Sequence, residues 1–480
     1  MGEKRKNVLL ICTDHWPGYL LGCAGHPVVM TPTLDQLAVD GIRFDRCYST
    51  CPVCIPARRS LMTGTFPATH GDRVYSEKMT MPEVKTLAQA FRDAGYQAYA
   101  VGKLHVYPQR NRIGFDDVIL EEEGRTEFGV TDDYEIWLGE NGCVGQEFAH
   151  SMGNNCYYTR PWHLPERMHP TAWATREMIR QIRRKDPTRP AFYYLSYSFP
   201  HPPLVPIKDY LELYDLEEID APQMADDWDD NRVIWKFLKE KSKSYSKKEI
   251  YLARRAFYAQ CTYIDHQIRS VIGTLKEEGL LKNTVIVFFS DHGDTLFDHG
   301  LAGKRTFYEG AANVPMIFSG EAVGKYRGTV DSRVTCLEDV MPTLLTLCGI
   351  SVPDTVEGMS MFSEKKRKLL YGEIGEDIRA ARMVTDGKRK LIYYPCGNVF
   401  QFFDLEKDPK EQHDLHEVFE WKDTEKMMIE YLIAHLHGKD CEWMKDGKLV
   451  GFPEPEYYAS PDYTLFNQRG IHWPPPGQGQ

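Results

Sequence analysis

Residues 7–14 read NVLLICTD. NVLLIC is a short, uninterrupted apolar run, the pattern of a strand buried on both faces, as strands of parallel sheets are. It ends at Asp14. The same pattern recurs along the chain: YQAYAV ends at Gly102-Lys103, RPAFYYLSYSF (189–199) ends at Pro200-His201, NTVIVFFS (283–290) ends at Asp291-His292, and VPMIFSG (314–320) follows. Helical segments lie between them. TPTLDQLAVD (31–40) offers Thr31 or Thr33 as N-cap and Gly41 as stop, 86–95 ends at Gly95, and a long stretch covers about 247–279. Strands alternating with helices predict an α/β fold with a mostly parallel, doubly wound sheet flanked by helices. Beyond the charge run Glu364–Lys368, the short strands KLLYGEI, RMVTDG, RKLIYYP and VFQFFDL precede a helix, EKMMIEYLIAHLH. They predict a smaller C-terminal antiparallel sheet plus helix. The expected division is a catalytic domain over 1–365, a small α+β subdomain over 366–440, and a tail over 441–480.

The 480 residues, 42% hydrophobic, suffice for a large core. No apolar run approaches the roughly 20 residues of a membrane span. The basic start MGEKRKN leads into only five apolar residues, short for a signal peptide, and Lys6 stands where myristoylation expects Ser or Thr. The expectation is a cytoplasmic protein without a membrane partner. A net charge of −11 argues against nucleic acid. Twelve scattered cysteines are not a disulfide framework. One close pair exists, Cys51 and Cys54, in CPVCIPARRSLMTG (51–64). No second C-x-x-C or C-x-x-H completes a zinc site, and a redox reading needs a thioredoxin-like context in a small domain. Two buried thiols are the plain alternative.

Asp14, Lys103, His201, Asp291 and His292 each stand just past the carboxyl end of a predicted strand. In open α/β sheets ligands bind at that edge. Each residue alone reads as a cap, a turn or a loop histidine. Together they read as a metal-plus-anion site, carboxylates and imidazole for a divalent cation and lysine for an oxyanion.

On these residues the chain resembles the sulfatases of the alkaline phosphatase superfamily. Cys54-Ile55-Pro56-Ala57-Arg58 fits the C-x-P-x-R signature, with Leu61-Met62-Thr63-Gly64 as its continuation. Gly102-Lys103-Leu104-His105 fits G-K-x-H, and Ser290–Asp294 fits S-D-H-G-[DE]. Lys304 with Tyr308-Glu309 and Val314-Pro315 fits the next block, and QFFDLEKDPKEQHDL (401–415) fits the C-terminal segment. The pairing of Asp291 with His292 is similar to the choline-sulfatase and phosphonate-monoesterase branch.

The resemblance implies a sulfuric ester hydrolase whose Cys54 is oxidised to Cα-formylglycine by a formylglycine-generating enzyme, Cys51 being incidental. Cys54 is expected to open the helix that carries Arg58 to Leu61, with Pro56 in its first turn and an anion favoured there. A hydrated aldehyde offers one hydroxyl as nucleophile and a second whose deprotonation expels sulfate. Asp14, residue 54, Asp291 and His292 are implied to hold one divalent cation, calcium first, with magnesium or manganese as alternatives. Arg58 would hold the nucleophile, Lys103 and Lys304 neutralise sulfate oxygens, His105 hold the second hydroxyl, and His201 protonate the leaving alcohol. The implied partner is a small sulfated substrate, a sugar, aryl or choline-like sulfate. Two departures stand out. Ala57 replaces a frequent serine, and His15 replaces the acid that many calcium sulfatases carry after the first aspartate. The runner-up is a phosphonate monoester or phosphodiester hydrolase with the same site; a non-catalytic scaffold would need Cys54 to stay a thiol.

Residues 110–170, with Glu121–Glu123, Asp132, Asp133, Trp137, Tyr157 and Trp162, read as a solvated insert with ordinary core aromatics. The aromatic tail 456–480 is expected to dock on its own domain or on a neighbouring subunit of a homo-oligomer.

Overall fold

The computed structural model describes residues 5–124, 131–225, 228 and 231–459. Asn7–Thr13 is the central strand, and all seven of its residues are buried. Val8, Leu10 and Cys12 enter one apolar cluster with Leu61, Phe91 and Leu344; Leu9 and Ile11 enter another with Trp173, Phe257 and Ile264. Alternate side chains therefore serve both faces, and that is why the run carries no polar alternation.

Eight strands form the main sheet in the order Thr329–Asp331, Gly41–Phe44, Met316–Ser319, Thr284–Ser290, Asn7–Thr13, Ala191–Ser196, Gln97–Gly102 and Asp117–Leu120. The five strands from Thr284–Ser290 to Asp117–Leu120 run parallel. Met316–Ser319 runs antiparallel to both of its neighbours. The chain returns to it from Ser290 across the carboxyl edge through a short turn, Glu309–Ala312, with no crossover helix to reset its direction.

The helices Cys54–Thr63, Leu87–Asp93 and Val340–Leu347 cover one face, and Pro170–Arg183 and Lys247–Glu277 the other. Lys247–Glu277 opens with a capping box, Ser246 and Glu249 each satisfying the other's backbone amide. The strands Leu370–Ile374, Ala381–Thr385, Arg389–Tyr394 and Val399–Asp404 form a sequential antiparallel sheet, with Lys422–His435 packed on it. Lys390, buried in this sheet, donates to the carbonyl of Phe307 at 2.8 Å and to Glu411 at 2.8 Å, and so ties the sheet to the segment behind the site.

The expected solvated insert is partly a correction. Asp116, Asp117 and Asp133 keep some exposure, but Glu121, Glu122, Glu123 and Asp132 are buried. Burial pushes the Glu121 carboxyl up to about 8, with Asp132 and Glu123 adding repulsion. Of the tail, Tyr457 packs on Phe237 with ring centroids 5.0 Å apart; the expectation for 460–480 lies outside the described residues.

Candidate active site

The carboxyl edge of the main sheet gathers the site. Asp14 follows Asn7–Thr13, Lys103 follows Gln97–Gly102, and Asp291 and His292 follow Thr284–Ser290. Gly102 ends its strand at φ +95°, and a Cβ there would fall 1.9 Å from the Ser196 carbonyl oxygen. Only glycine lets the chain turn so closely that the Lys103 amide donates to that carbonyl at 2.9 Å. Cys54 is the first residue of the helix Cys54–Thr63 and is buried.

Cys54 Sγ stands among these side chains. Asp14 Oδ1 lies 3.6 Å from it, His292 Nε2 3.2 Å and Lys304 Nζ 3.0 Å. Donor atoms of Asp14, Cys54, Asp291 and His292 all fall within 4.8 Å of one another. His292 Nδ1 meets the carbonyl of Gly293 at 2.9 Å, which assigns the proton to Nδ1 and leaves the Nε2 lone pair for the group. The set of two carboxylates, one imidazole and residue 54 fits a divalent cation, and its oxygen content suits a hard one.

Arg58, expected to hold the nucleophile, braces the carboxylates. Its Nε donates to Asp291 Oδ2 at 2.8 Å, and its terminal nitrogens reach Asp14 Oδ2 at 3.4 Å, the Lys103 carbonyl at 2.8 Å and Ser196 Oγ at 2.8 Å. Lys103 Nζ, expected on the sulfate, donates to Asp14 Oδ2 at 2.5 Å and Glu123 Oε2 at 3.0 Å. Asp14 thus turns one oxygen to the cation group and the other to Lys103 and Arg58. Burial would raise its carboxyl, but Lys103, His201 and Lys304 outweigh that and hold it well below the usual range.

Lys304 is held from two sides. Its Nζ lies 2.7 Å from His15 Nε2 and 3.2 Å from His201 Nε2. Behind His15, Nδ1 meets Asp294 Oδ2 at 2.6 Å. Behind His201, Nδ1 meets the Pro202 carbonyl and lies 3.2 Å from Glu123 Oε1. Acceptors at both Nδ1 atoms assign protons there, so both Nε2 atoms accept from the Lys304 ammonium. Burial, then Lys304, pushes His15 down to about 3. Burial foremost also holds His201 well below the ordinary imidazole value, Glu123 opposing. Burial and Asp14 push the Cys54 thiol up, yet Lys304, Lys103 and His292 outweigh them and it falls below the ordinary thiol value.

His15 therefore supports Lys304, while its Nε2 lies 3.8 Å from Asp14 Oδ1, its ring packs edge-on against His292 at 4.7 Å between centroids, and its donor atom converges with those of Asp14 and His201. His105 lies to one side, its Nε2 3.3 Å from the Tyr75 hydroxyl. Cys51 lies apart, 3.8 Å from the Arg73 carbonyl. Sequence reading missed Glu123 and Asp294. Asp294 stood within the quoted S-D-H-G-D block, while Glu123 sat in an acidic run that looked solvated.

A family model described as sulfatase matches residues 6–350. The chain belongs to the sulfatase family. A second model, described as the N-sulphoglucosamine sulphohydrolase C-terminal region, matches residues 297–437 of this sulfatase. The sulfatase is 35% identical to an arylsulfatase of Clostridium perfringens (strain 13 / Type A), over 94% of this chain and 98% of the relative. It is 27% identical to a choline-sulfatase of Rhizobium meliloti (strain 1021), over 87% and 83%. Its fold is similar to that of the phosphonate monoester hydrolase of Agrobacterium radiobacter, with TM-score 0.77, 23% identity, and 90% and 95% of the two chains covered. As a family member with so similar an arylsulfatase relative, the protein is a sulfuric ester hydrolase.

Proposed function

We propose that the protein hydrolyses a small sulfate monoester with Cys54, matured to Cα-formylglycine, as nucleophile, and with one calcium ion held by Asp14, residue 54, Asp291 and His292. The observation that carries the reading is the position of Cys54 Sγ between the cation group and the Lys304 ammonium, 3.0 Å away. A divalent cation, when bound, supplies positive charge that acidifies the nucleophile's hydroxyl and polarises a sulfate oxygen. Formylglycine supplies the paired hydroxyls.

The rest falls to this chain's own side chains. Arg58 keeps Asp14 and Asp291 aimed. Lys304 presents an N–H to residue 54 and to the sulfate oxygen that gains charge there. His201 is the proposed proton donor to the leaving alcohol: the Lys304 ammonium gives a proton to His201 Nε2, 3.2 Å away, which passes it to the departing oxygen and leaves Lys304 neutral until it is reprotonated from solvent. Lys103, shared between Asp14 and Glu123, adds charge to the inner wall. Aryl sulfates head the proposed substrates on the strength of the arylsulfatase relative, with sugar and choline-like sulfates next. The proposed compartment is reducing and cytoplasmic, where the cysteines other than Cys54 stay thiols.

Turnover of 4-nitrophenyl sulfate is the test, against an aryl phosphonate monoester with the same enzyme. The account expects sulfate to be preferred and chelation to abolish the rate. A preference of about tenfold for the phosphonate, about 1.4 kcal/mol of barrier, overturns it.

A further inference from the structure

Beyond Lys304, two more cations stand on the same side of the site. Lys241 Nζ lies over the Tyr157 ring at 5.2 Å and 3.6 Å from where a Cβ on Gly303 would be, so the lysine runs alongside the loop that carries Lys304. Arg305, next in the chain, has φ +70°, outside the range most side chains accept. Its amide donates to the Pro52 carbonyl at 3.0 Å, two residues before Cys54, and its guanidinium lies over Tyr75 at 5.4 Å. Tyr75 in turn meets His105.

Among the described residues, neither Lys241 nor Arg305 has a carboxylate within 4 Å, whereas Lys103 and Arg58 are fully paired. A partly buried ammonium with no carboxylate in direct contact is costly. Burial, with Lys304 and Arg305 adding repulsion against the pull of Asp294, pushes Lys241 down to about 8. The fold keeps this charge where a hydrophobic side chain would pack on Tyr157 without penalty.

We propose that Lys241 and Arg305 form a subsite for a second anionic group of the substrate, a carboxylate or a further sulfate, carried beyond the ester that is cleaved. The inference rests on the sulfate-ester reading. Gly303 and Arg305 flank Lys304 in the chain, so a substituent carried beyond the ester on that side meets an ammonium and a guanidinium whose only close side-chain partners among the described residues are the rings of Tyr157 and Tyr75. A second anion there relieves the charge on Lys241 and meets the planar donors of Arg305. The site therefore favours acidic sulfate esters over neutral ones of equal size.

The experiment compares 4-carboxyphenyl sulfate with its methyl ester through the ratio of kcat/KM values, acid over ester. The comparison across variants cancels the electronic difference between the two leaving groups. In Lys241→Met, which keeps the aliphatic stem on Tyr157, the ratio falls by about tenfold or more, a charge pair of about 1.4 kcal/mol. In Arg305→Gln it falls by about threefold, the more exposed charge being better screened. Lys243→Met, exposed and lying over Tyr457 instead, keeps the wild-type ratio. A Lys241→Met ratio within about twofold of wild type overturns the subsite and leaves the sulfate-ester reading standing. Failure of the wild-type enzyme to cleave either compound overturns both.

Discussion

Asp294→Asn changes one buried atom from acceptor to donor at the far end of the His15 arm. The carboxylate accepts from His15 Nδ1 at 2.6 Å, from the Tyr157 hydroxyl, and from the amides of Leu296 at 2.8 Å and Gly303 at 3.2 Å. All four partners are donors. An asparagine amide offers a single acceptor atom, and its NH2 must face one pair of them, His15 with the Tyr157 hydroxyl or the two backbone amides. Facing His15, it drives the imidazole to the other tautomer, with a proton on Nε2, 2.7 Å from the Lys304 ammonium. Two donors then oppose each other and Lys304 is released from its aim at residue 54. The lost interaction is a charge-assisted hydrogen bond worth about 1.5–3 kcal/mol. Felt mainly in the transition state, that is a fall in kcat of about 10- to 150-fold. The assay is steady-state hydrolysis of 4-nitrophenyl sulfate, with bound metal measured by elemental analysis and folding checked by thermal denaturation. Metal content should be unchanged, because Asp294 is not among the converging donors. A kcat within about twofold of wild type, or a variant that has lost its metal, refutes the claim that His15 serves Lys304.

Arg58→Met strands Asp291 and leaves Asp14 to Lys103 alone, so the metal-free variant should lose about 3–5 kcal/mol in denaturant unfolding, with part restored by an added divalent cation if, as proposed, it binds the folded site; a loss below about 1 kcal/mol would show that the guanidinium is dispensable. Cys54→Ala should abolish sulfate release while Cys51→Ala keeps most of it, and equal inactivation of the two would revive a paired-thiol role. Glu121, at about 8, binds its proton in the folded state over a window where the unfolded carboxyl has lost it. Wild-type stability should therefore fall as pH rises from about 4.5 to 8. Glu121→Gln removes that contribution, so its unfolding midpoint should change less between pH 6 and 8.5 than that of wild type; an identical pH slope contradicts the assignment.

The main sheet was legible because a doubly buried parallel strand leaves a pure apolar run, and its carboxyl end then announces what comes next. Asp14, Lys103, Asp291 and His292 could be placed on one edge from strand ends alone, and Cys54 from the helix start. The direction of Met316–Ser319 was hidden, since a strand's composition is the same either way up. Which charge pairs with which was hidden too. Arg58 and Lys103 read as ligand-facing cations, and only the fold shows that they also pair with Asp14, Asp291 and Glu123. The acids at 121–123 carry no periodicity that tells a solvated run from a loop folded under the site. His15 was flagged as a departure, but its role depends on Asp294, 279 positions away.

The central claim, a modified residue 54 at the nucleophile position, is tested most directly on the tryptic peptide 47–58, which holds Cys47, Cys51 and Cys54. After thiol alkylation, mass spectrometry of enzyme from its native host should show two alkylated cysteines and one residue in which sulfur and two hydrogens are replaced by a single oxygen. Fragmentation should put that residue at 54, and preparations of differing conversion should release sulfate in proportion to the converted fraction. Full sulfatase activity from a peptide alkylated at all three cysteines would contradict the account.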